Sequence, residues 1–178
     1  MNKNIKQKII ILSDLWGKEK SDWIIHYTSL LEDYFVVTCY DSCVLADIDK
    51  SEYSEEKLHD QFITGGIVKA VENLLKKEKE STIVLGFSIG GTIAWKACKS
   101  GLKTQRLIAI SSTRLRYETQ KPSGVIDLIY GEKDTYKPDN NWFEKLEIRT
   151  EIYKNEGHEV YKKKEIAQKI CKMIIQQQ

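Results

Sequence analysis

The 178 residues, 41% hydrophobic and 30% charged, fit a globular protein of one domain, expected to span residues 1–178, with room for a sizeable core. The near balance of 28 basic and 26 acidic residues, a formal net charge of +2, gives no electrostatic ground for expecting a nucleic-acid or anionic-membrane partner. The four cysteines form no C-x-x-C pair and the three histidines lie far apart, which argues against a metal site.

In chain order, the basic stretch Met1 to Lys8 precedes an apolar run, Ile9 to Leu12. That run is too short for a signal-peptide core or a membrane span, so a cytoplasmic protein with reduced cysteines is expected. Lys8–Leu12 reads as a strand buried on both faces. Ser21–Asp33 reads as a helix with Trp23, Ile24, Tyr27, Leu30 and Leu31 on one stripe. Tyr34–Tyr40, β-branched and aromatic, reads as a strand, and Asp41–Ala46 as the loop after it. Glu55–Lys79 is helical with an irregularity near Gly65-Gly66. A strand over Thr82–Phe87 leads into a helix over Ile89–Ser100 that Gly101 ends. Strands follow at Arg106–Ser111 and Val125–Tyr130, a short helix at Asn140–Leu146, a strand at Ile148–Tyr153 and a closing helix at Val160–Ile175. Cys98 and Cys171 fall in helical patterns as core residues, and the lysines at 76–79 and 162–164 read as solvated charge. Six strands in series with helical crossovers predict a three-layer α/β sandwich, a mostly parallel sheet with helices on both faces. Ligands bind such sheets at the carboxyl ends of the strands.

One of those ends carries Gly86-Phe87-Ser88-Ile89-Gly90. Gly-x-Ser-x-Gly between a strand and a helix is a setting in which a serine is strained outward above the sheet edge. The flanking glycines leave room for the tight turn, and the helix N-terminus favours developing negative charge. A serine hydroxyl is a weak nucleophile unless a base lies within hydrogen-bond reach and an acid orients that base. His26 and His59 fall within helical patterns, whereas His158 follows Gly157 in the loop after the last strand. Asp134 lies in the loop after the preceding strand, with Glu132 and Asp41 as competing acids.

Ser88, Asp134 and His158, each after its own strand and in that order, resemble the α/β-hydrolase superfamily. The resemblance runs from Lys8 to the last helix, and rests on the serine turn, Tyr130-Gly131-Glu132-Lys133-Asp134 and Gly157-His158. It implies an oxyanion hole made by the N–H of Ile89 and a second N–H from Ser13-Asp14-Leu15-Trp16-Gly17. Leu15 is the expected second donor, with Asp14 and Trp16 as alternatives; the superfamily's His-Gly sequence is missing there. Trp16 is a candidate wall for the acyl pocket, and Tyr136 and Trp142 are candidate pocket aromatics. Compared with larger members, the chain leaves no room for preceding antiparallel strands. Ser112–Gly124 is too short for a helical cap. A small, lidless hydrolase with an open, shallow site closed mainly by loops is therefore expected.

Arg114 and Arg116 sit at a strand's carboxyl end, where they could hold a carboxylate or phosphate of a substrate. The plainer reading pairs them with Glu118 or Glu132. The resulting expectation is a serine hydrolase of the carboxylesterase or thioesterase type, acting on a small-molecule acyl ester or thioester without cofactor or metal. The alternatives are a hydrolase-fold binding protein without useful turnover and a nucleotide binder. The latter is disfavoured because Gly86 to Gly91 lacks both G-x-G-x-x-G and the phosphate-loop lysine.

Overall fold

A computed structural model describes residues 6–177; positions 1–5 of the basic N-terminal stretch and residue 178 lie outside it. Six strands form one sheet: β1 (Lys8–Leu12), β2 (Val36–Tyr40), β3 (Thr82–Phe87), β4 (Thr104–Ile110), β5 (Val125–Gly131) and β6 (Arg149–Tyr153). Their order is β2-β1-β3-β4-β5-β6, and every neighbouring pair is parallel. Parallel pairing requires crossovers, and six of the seven helices lie in them, while the last follows the final strand. The helices are α1 (Ile25–Leu31), α2 (Ser42–Ala46), α3 (Glu55–Gln61), α4 (Ile67–Lys77), α5 (Ile89–Lys99), α6 (Asn140–Leu146) and α7 (Lys164–Ile175).

The period-two alternation of a strand divides each apolar run between two cores. Ile9 and Ile11 pack with Tyr27 and Leu31 of α1 and Ile166, Ile170 and Ile174 of α7. Ile10 and Leu12 face the opposite way, with Ala70 and Leu74 of α4, Trp95 of α5 and Leu146 of α6. The unbroken Ile-Ile-Ile-Leu of β1 is thus the signature of a strand covered on both sides.

Several element ends differ from the sequence reading, each for a local reason. The helix expected from Ser21 becomes α-helical only at Ile25, after 3-10 turns at Gly17–Lys20 and Asp22–Ile24. Ser21 spends its hydroxyl on Gly17 O instead of capping a helix. Tyr34 and Phe35 do not open β2, because both donate their N–H groups back to Leu31 O. The loop read at Asp41–Ala46 is helix α2. The Asp41 carboxylate caps it by accepting from Cys43 N (2.7 Å) and Val44 N (3.2 Å).

The long helical pattern over residues 55–79 splits into α3, a π-turn at Phe62–Gly66 and α4; Gly65, at φ 157°, supplies the irregularity. The closing helix begins at Lys164, not Val160. His158–Lys162 is a separate 3-10 turn, and Lys163 is extended at ψ 124°. That break sets the histidine on its own short turn. Between β4 and β5 the chain makes only a 3-10 turn at Leu115–Tyr117, and no helical cap is inserted there. No helix among the described residues is long and apolar enough to cross a membrane.

Candidate active site

The carboxyl ends of β1, β3, β4, β5 and β6 bring the sequence-identified residues to one rim, with the exception of Trp142. Ser88 leaves β3 with φ 52° and ψ −118°, a conformation that costs a non-glycine residue roughly 1–3 kcal/mol. Two constraints impose it. Ser88 N–H donates to Ile110 O of the neighbouring strand at 2.9 Å, and α5 begins at the next residue, so the chain must reverse within one step. The crowding explains the flanking glycines. A Cβ on Gly86 would lie 2.6 Å from Gly91 Cα, and one on Gly90 would lie 2.3 Å from Ser13 O and 2.7 Å from Leu12 O. Because those obstacles are backbone, Gly90→Ala should destabilise by about 3 kcal/mol, the upper end of the overpacking range, read as a lower urea midpoint with unchanged m.

The Ser88 hydroxyl lies 3.0 Å from His158 Nε2, and His158 Nδ1 lies 3.0 Å from Asp134 Oδ2. The other carboxylate oxygen, Oδ1, accepts the Tyr136 N–H at 2.9 Å. Asp134 is thereby held from both sides, and its side chain is fully buried while the imidazole is 24% exposed. The Tyr136 ring meets the imidazole edge-on at 4.9 Å. The competing acids are employed elsewhere. Glu132 Oε2 accepts Asn155 N–H at 2.9 Å, clasping the acid loop to the histidine loop, and Lys133 N–H adds a bond to Glu156 O at 2.8 Å. Asp41 caps α2 and also accepts Lys18 N–H at 2.8 Å.

The loop after β1 is fastened by Asp14, which is 1% exposed. Its Oδ1 accepts Trp16 N–H at 3.1 Å and its Oδ2 accepts the Tyr161 hydroxyl at 3.1 Å. Trp16 N–H is therefore committed and is not free to bind an oxyanion. Leu15 N–H has no partner among the described residues, and Ile89 N–H, the first of α5, has none in the helix. Trp16 packs against Tyr53 at 5.5 Å, beneath the Lys20 ammonium at 3.7 Å.

Burial pushes the Asp14 carboxyl above its ordinary range, with the Lys162 ammonium partly opposing the shift. A carboxyl with a raised folded-state pKa makes its stability contribution at low pH, and that contribution is lost as pH rises through the folded value. Asp14→Asn keeps one acceptor oxygen for the Trp16 and Tyr161 bonds but cannot ionise. Its melting temperature relative to wild type should therefore rise as the pH goes from the unfolded-state value of about 3.9 toward 7, as followed by thermal melts across pH.

These groups open into a cavity of about 700 Å³ lined by Ser88, His158, Leu15, Trp16, Ile89, Tyr136 and both Arg114 and Arg116. Two features escaped the sequence. One wall is helical, formed by Glu55, Glu56 and His59 of α3, in addition to the loops. Tyr161, one turn beyond the histidine, also lines it; nothing in its sequence setting marks it. Trp142 does not line this cavity. It packs against Trp95 at 5.9 Å and donates its indole N–H to Glu118 O at 2.7 Å. The glycine-rich turn is also poorly suited to cradling a phosphate, since the N–H groups of Ser88, Gly91 and Thr92 are all bonded to protein carbonyls. No group of three or more His, Cys, Asp or Glu side chains among the described residues could hold a metal ion.

The same architecture occurs in solved structures. A Xanthomonas campestris pv. campestris structure described as a hydrolase of the alpha/beta superfamily superimposes with a TM-score of 0.73 at 14% identity, over 97% of this chain and 100% of that one. The chain has the α/β-hydrolase fold. An alpha/beta hydrolase enzyme from the metagenome of lagoon sediments at Mar Chica, Morocco, gives a TM-score of 0.66 at 18% identity, covering 96% of this chain and 90% of that one. Est1E of Butyrivibrio proteoclasticus, solved with ferulic acid bound, gives 0.66 at 12% identity, covering 98% and 89%. No family model and no curated protein matches the sequence. The α/β-hydrolase fold is therefore carried here by a sequence whose likeness to these structures is one of shape.

Proposed function

We propose that the protein is a serine hydrolase that cleaves a carboxylic ester or thioester of a small molecule through an acyl-enzyme, with Ser88, His158 and Asp134 as its triad. The observation that carries this reading is the 3.0 Å approach of Ser88 Oγ to His158 Nε2 at a strained strand-to-helix turn. Ser88 Oγ attacks the acyl carbon while His158 Nε2 takes its proton. Asp134 holds the imidazole in the tautomer that leaves Nε2 basic, and stabilises the imidazolium that forms. The N–H groups of Leu15 and Ile89 hold the oxygen on which negative charge develops, aided by the N-terminus of α5. Collapse of the tetrahedral species breaks the ester C–O or thioester C–S bond, and His158 returns the proton to the departing oxygen or sulfur. Water, deprotonated by His158, then attacks the acyl-Ser88 carbon; the bond to Ser88 Oγ breaks, His158 returns the proton to that oxygen, and the acid is released. This scheme calls on no cofactor.

The direct test is hydrolysis of p-nitrophenyl esters and acyl-CoA thioesters of graded chain length. The proposal expects turnover on at least one series. A folded protein that turns over neither series would favour the binding-protein alternative.

A further inference from the structure

The plainest account of Arg114 and Arg116, pairing with neighbouring acids, fails in this structure. Glu118 is taken by Lys96 at 2.6 Å and Lys99 at 3.0 Å, and Glu132 is taken by the Asn155 N–H. Neither guanidinium has a carboxylate partner among the described residues. Both are half-buried, and both line the cavity that Ser88 opens into.

They are also held in place. Arg116 Nη1 donates to Thr113 O and, at 3.1 Å, to Tyr136 O. Its guanidinium carbon lies 4.6 Å from the Tyr117 ring centre and 5.7 Å from that of Tyr136. Arg114 lies against the same Tyr117 ring at 5.0 Å. Tyr136 is the residue whose N–H holds Asp134 and whose ring meets His158, so Arg116 is fixed to the same scaffold as the triad. Two like charges flanking one tyrosine, partly removed from water and without a counter-ion, make a preorganised seat for an anion. Glu55 and Glu56, the cavity acids without an ion-pair partner among the described residues, come from α3. They give the cavity a charge asymmetry that steers an anionic group toward the arginines.

We infer that Arg114 and Arg116 form an anion subsite, and that the substrate carries a carboxylate or phosphate group away from the bond that is cut. This rests on the serine-hydrolase reading of Ser88. The anion could belong to the acyl chain, as in a dicarboxylic acid monoester, or to the alcohol, as in an acylated phosphate-bearing alcohol.

Matched pairs separate these sources: monomethyl glutarate against its carboxamide counterpart, and acetylated glycerol 3-phosphate against acetylated glycerol. A charge-assisted contact contributes about 1.5–3 kcal/mol, so wild type should prefer the anionic member of at least one pair by about 10-fold or more in kcat/KM. The pair that responds identifies the source. Arg114→Gln should collapse that ratio toward one. The Arg114 side chain makes no hydrogen bond among the described residues, and its backbone carbonyl, which accepts the Tyr117 N–H, is kept by glutamine, so this variant is the primary test. Arg116→Lys, which keeps the charge but loses the planar fork, should retain part of the preference. High salt should lower it.

Binding of the same four compounds to Ser88→Ala, by calorimetry, gives a readout that needs no turnover. Selective binding of an anionic member that is lost in the Ser88→Ala, Arg114→Gln double variant supports the subsite even if the wild type proves inactive. Equal handling of charged and neutral members in both assays, or a preference that Arg114→Gln leaves intact, overturns the inference while leaving the triad untouched.

Discussion

Ser88→Ala is expected to lower kcat on any accepted ester by on the order of 10⁶-fold, the scale seen when a triad nucleophile is removed. The change deletes one oxygen. That oxygen's partner at 3.0 Å is His158 Nε2, and the imidazole keeps its bond to Asp134. The turn is set by the Ser88 N–H bond to Ile110 O and by the start of α5, both of which alanine preserves. The melting temperature should therefore stay close to wild type while the rate collapses. Residual turnover above the water rate would come from Leu15, Ile89 and substrate binding alone. A variant that unfolds would show that the hydroxyl is a structural bond. A variant that keeps more than a few per cent of activity would show that another nucleophile is in use.

Asp134→Asn should cost about 10⁴-fold in kcat with little change in fold. The Tyr136 N–H needs an acceptor at Oδ1, so the amide should place its oxygen there and turn its NH₂ toward His158 Nδ1. The imidazole must then accept at Nδ1 and carry its proton on Nε2, where it cannot take the proton of Ser88. The effect should appear in kcat, since the tautomer is wrong. Near-full activity would mean that Asp134 is a structural carboxylate. Glu132, tied to Asn155 N, and Asp41, tied to Cys43 N and Val44 N, would then need to leave their own bonds to replace it.

Much of the framework is legible in the sequence because buried strands and strained turns need particular residues. The short apolar run Ile9 to Leu12 agrees with a strand covered on both faces, and Gly90 lies against the β1 backbone where no side chain fits. Ser88, Asp134 and His158 can be picked out as candidates because each follows a parallel strand, and the carboxyl ends of parallel strands share one edge. What the sequence hides is set by tertiary choices among equal local options. Asp41 could serve a loop or cap a helix, and only packing selects α2. The Val160 end of the last helix gives way to a separate turn because Lys163 is extended and interrupts the helical run. The approach of α3 to the site depends on how the π-turn at Phe62–Gly66 redirects the chain, which no local pattern announces. The pairing of Glu118 with Lys96 and Lys99, which leaves the arginines free, is equally invisible without coordinates.

The most direct check is covalent. Intact-protein mass spectrometry after exposure to a fluorophosphonate should show a single adduct, mapped by peptide digestion to Ser88, that forms slowly or not at all in His158→Ala. Folded wild-type protein that remains unmodified, or an adduct on any other residue, would contradict an activated serine at the end of β3.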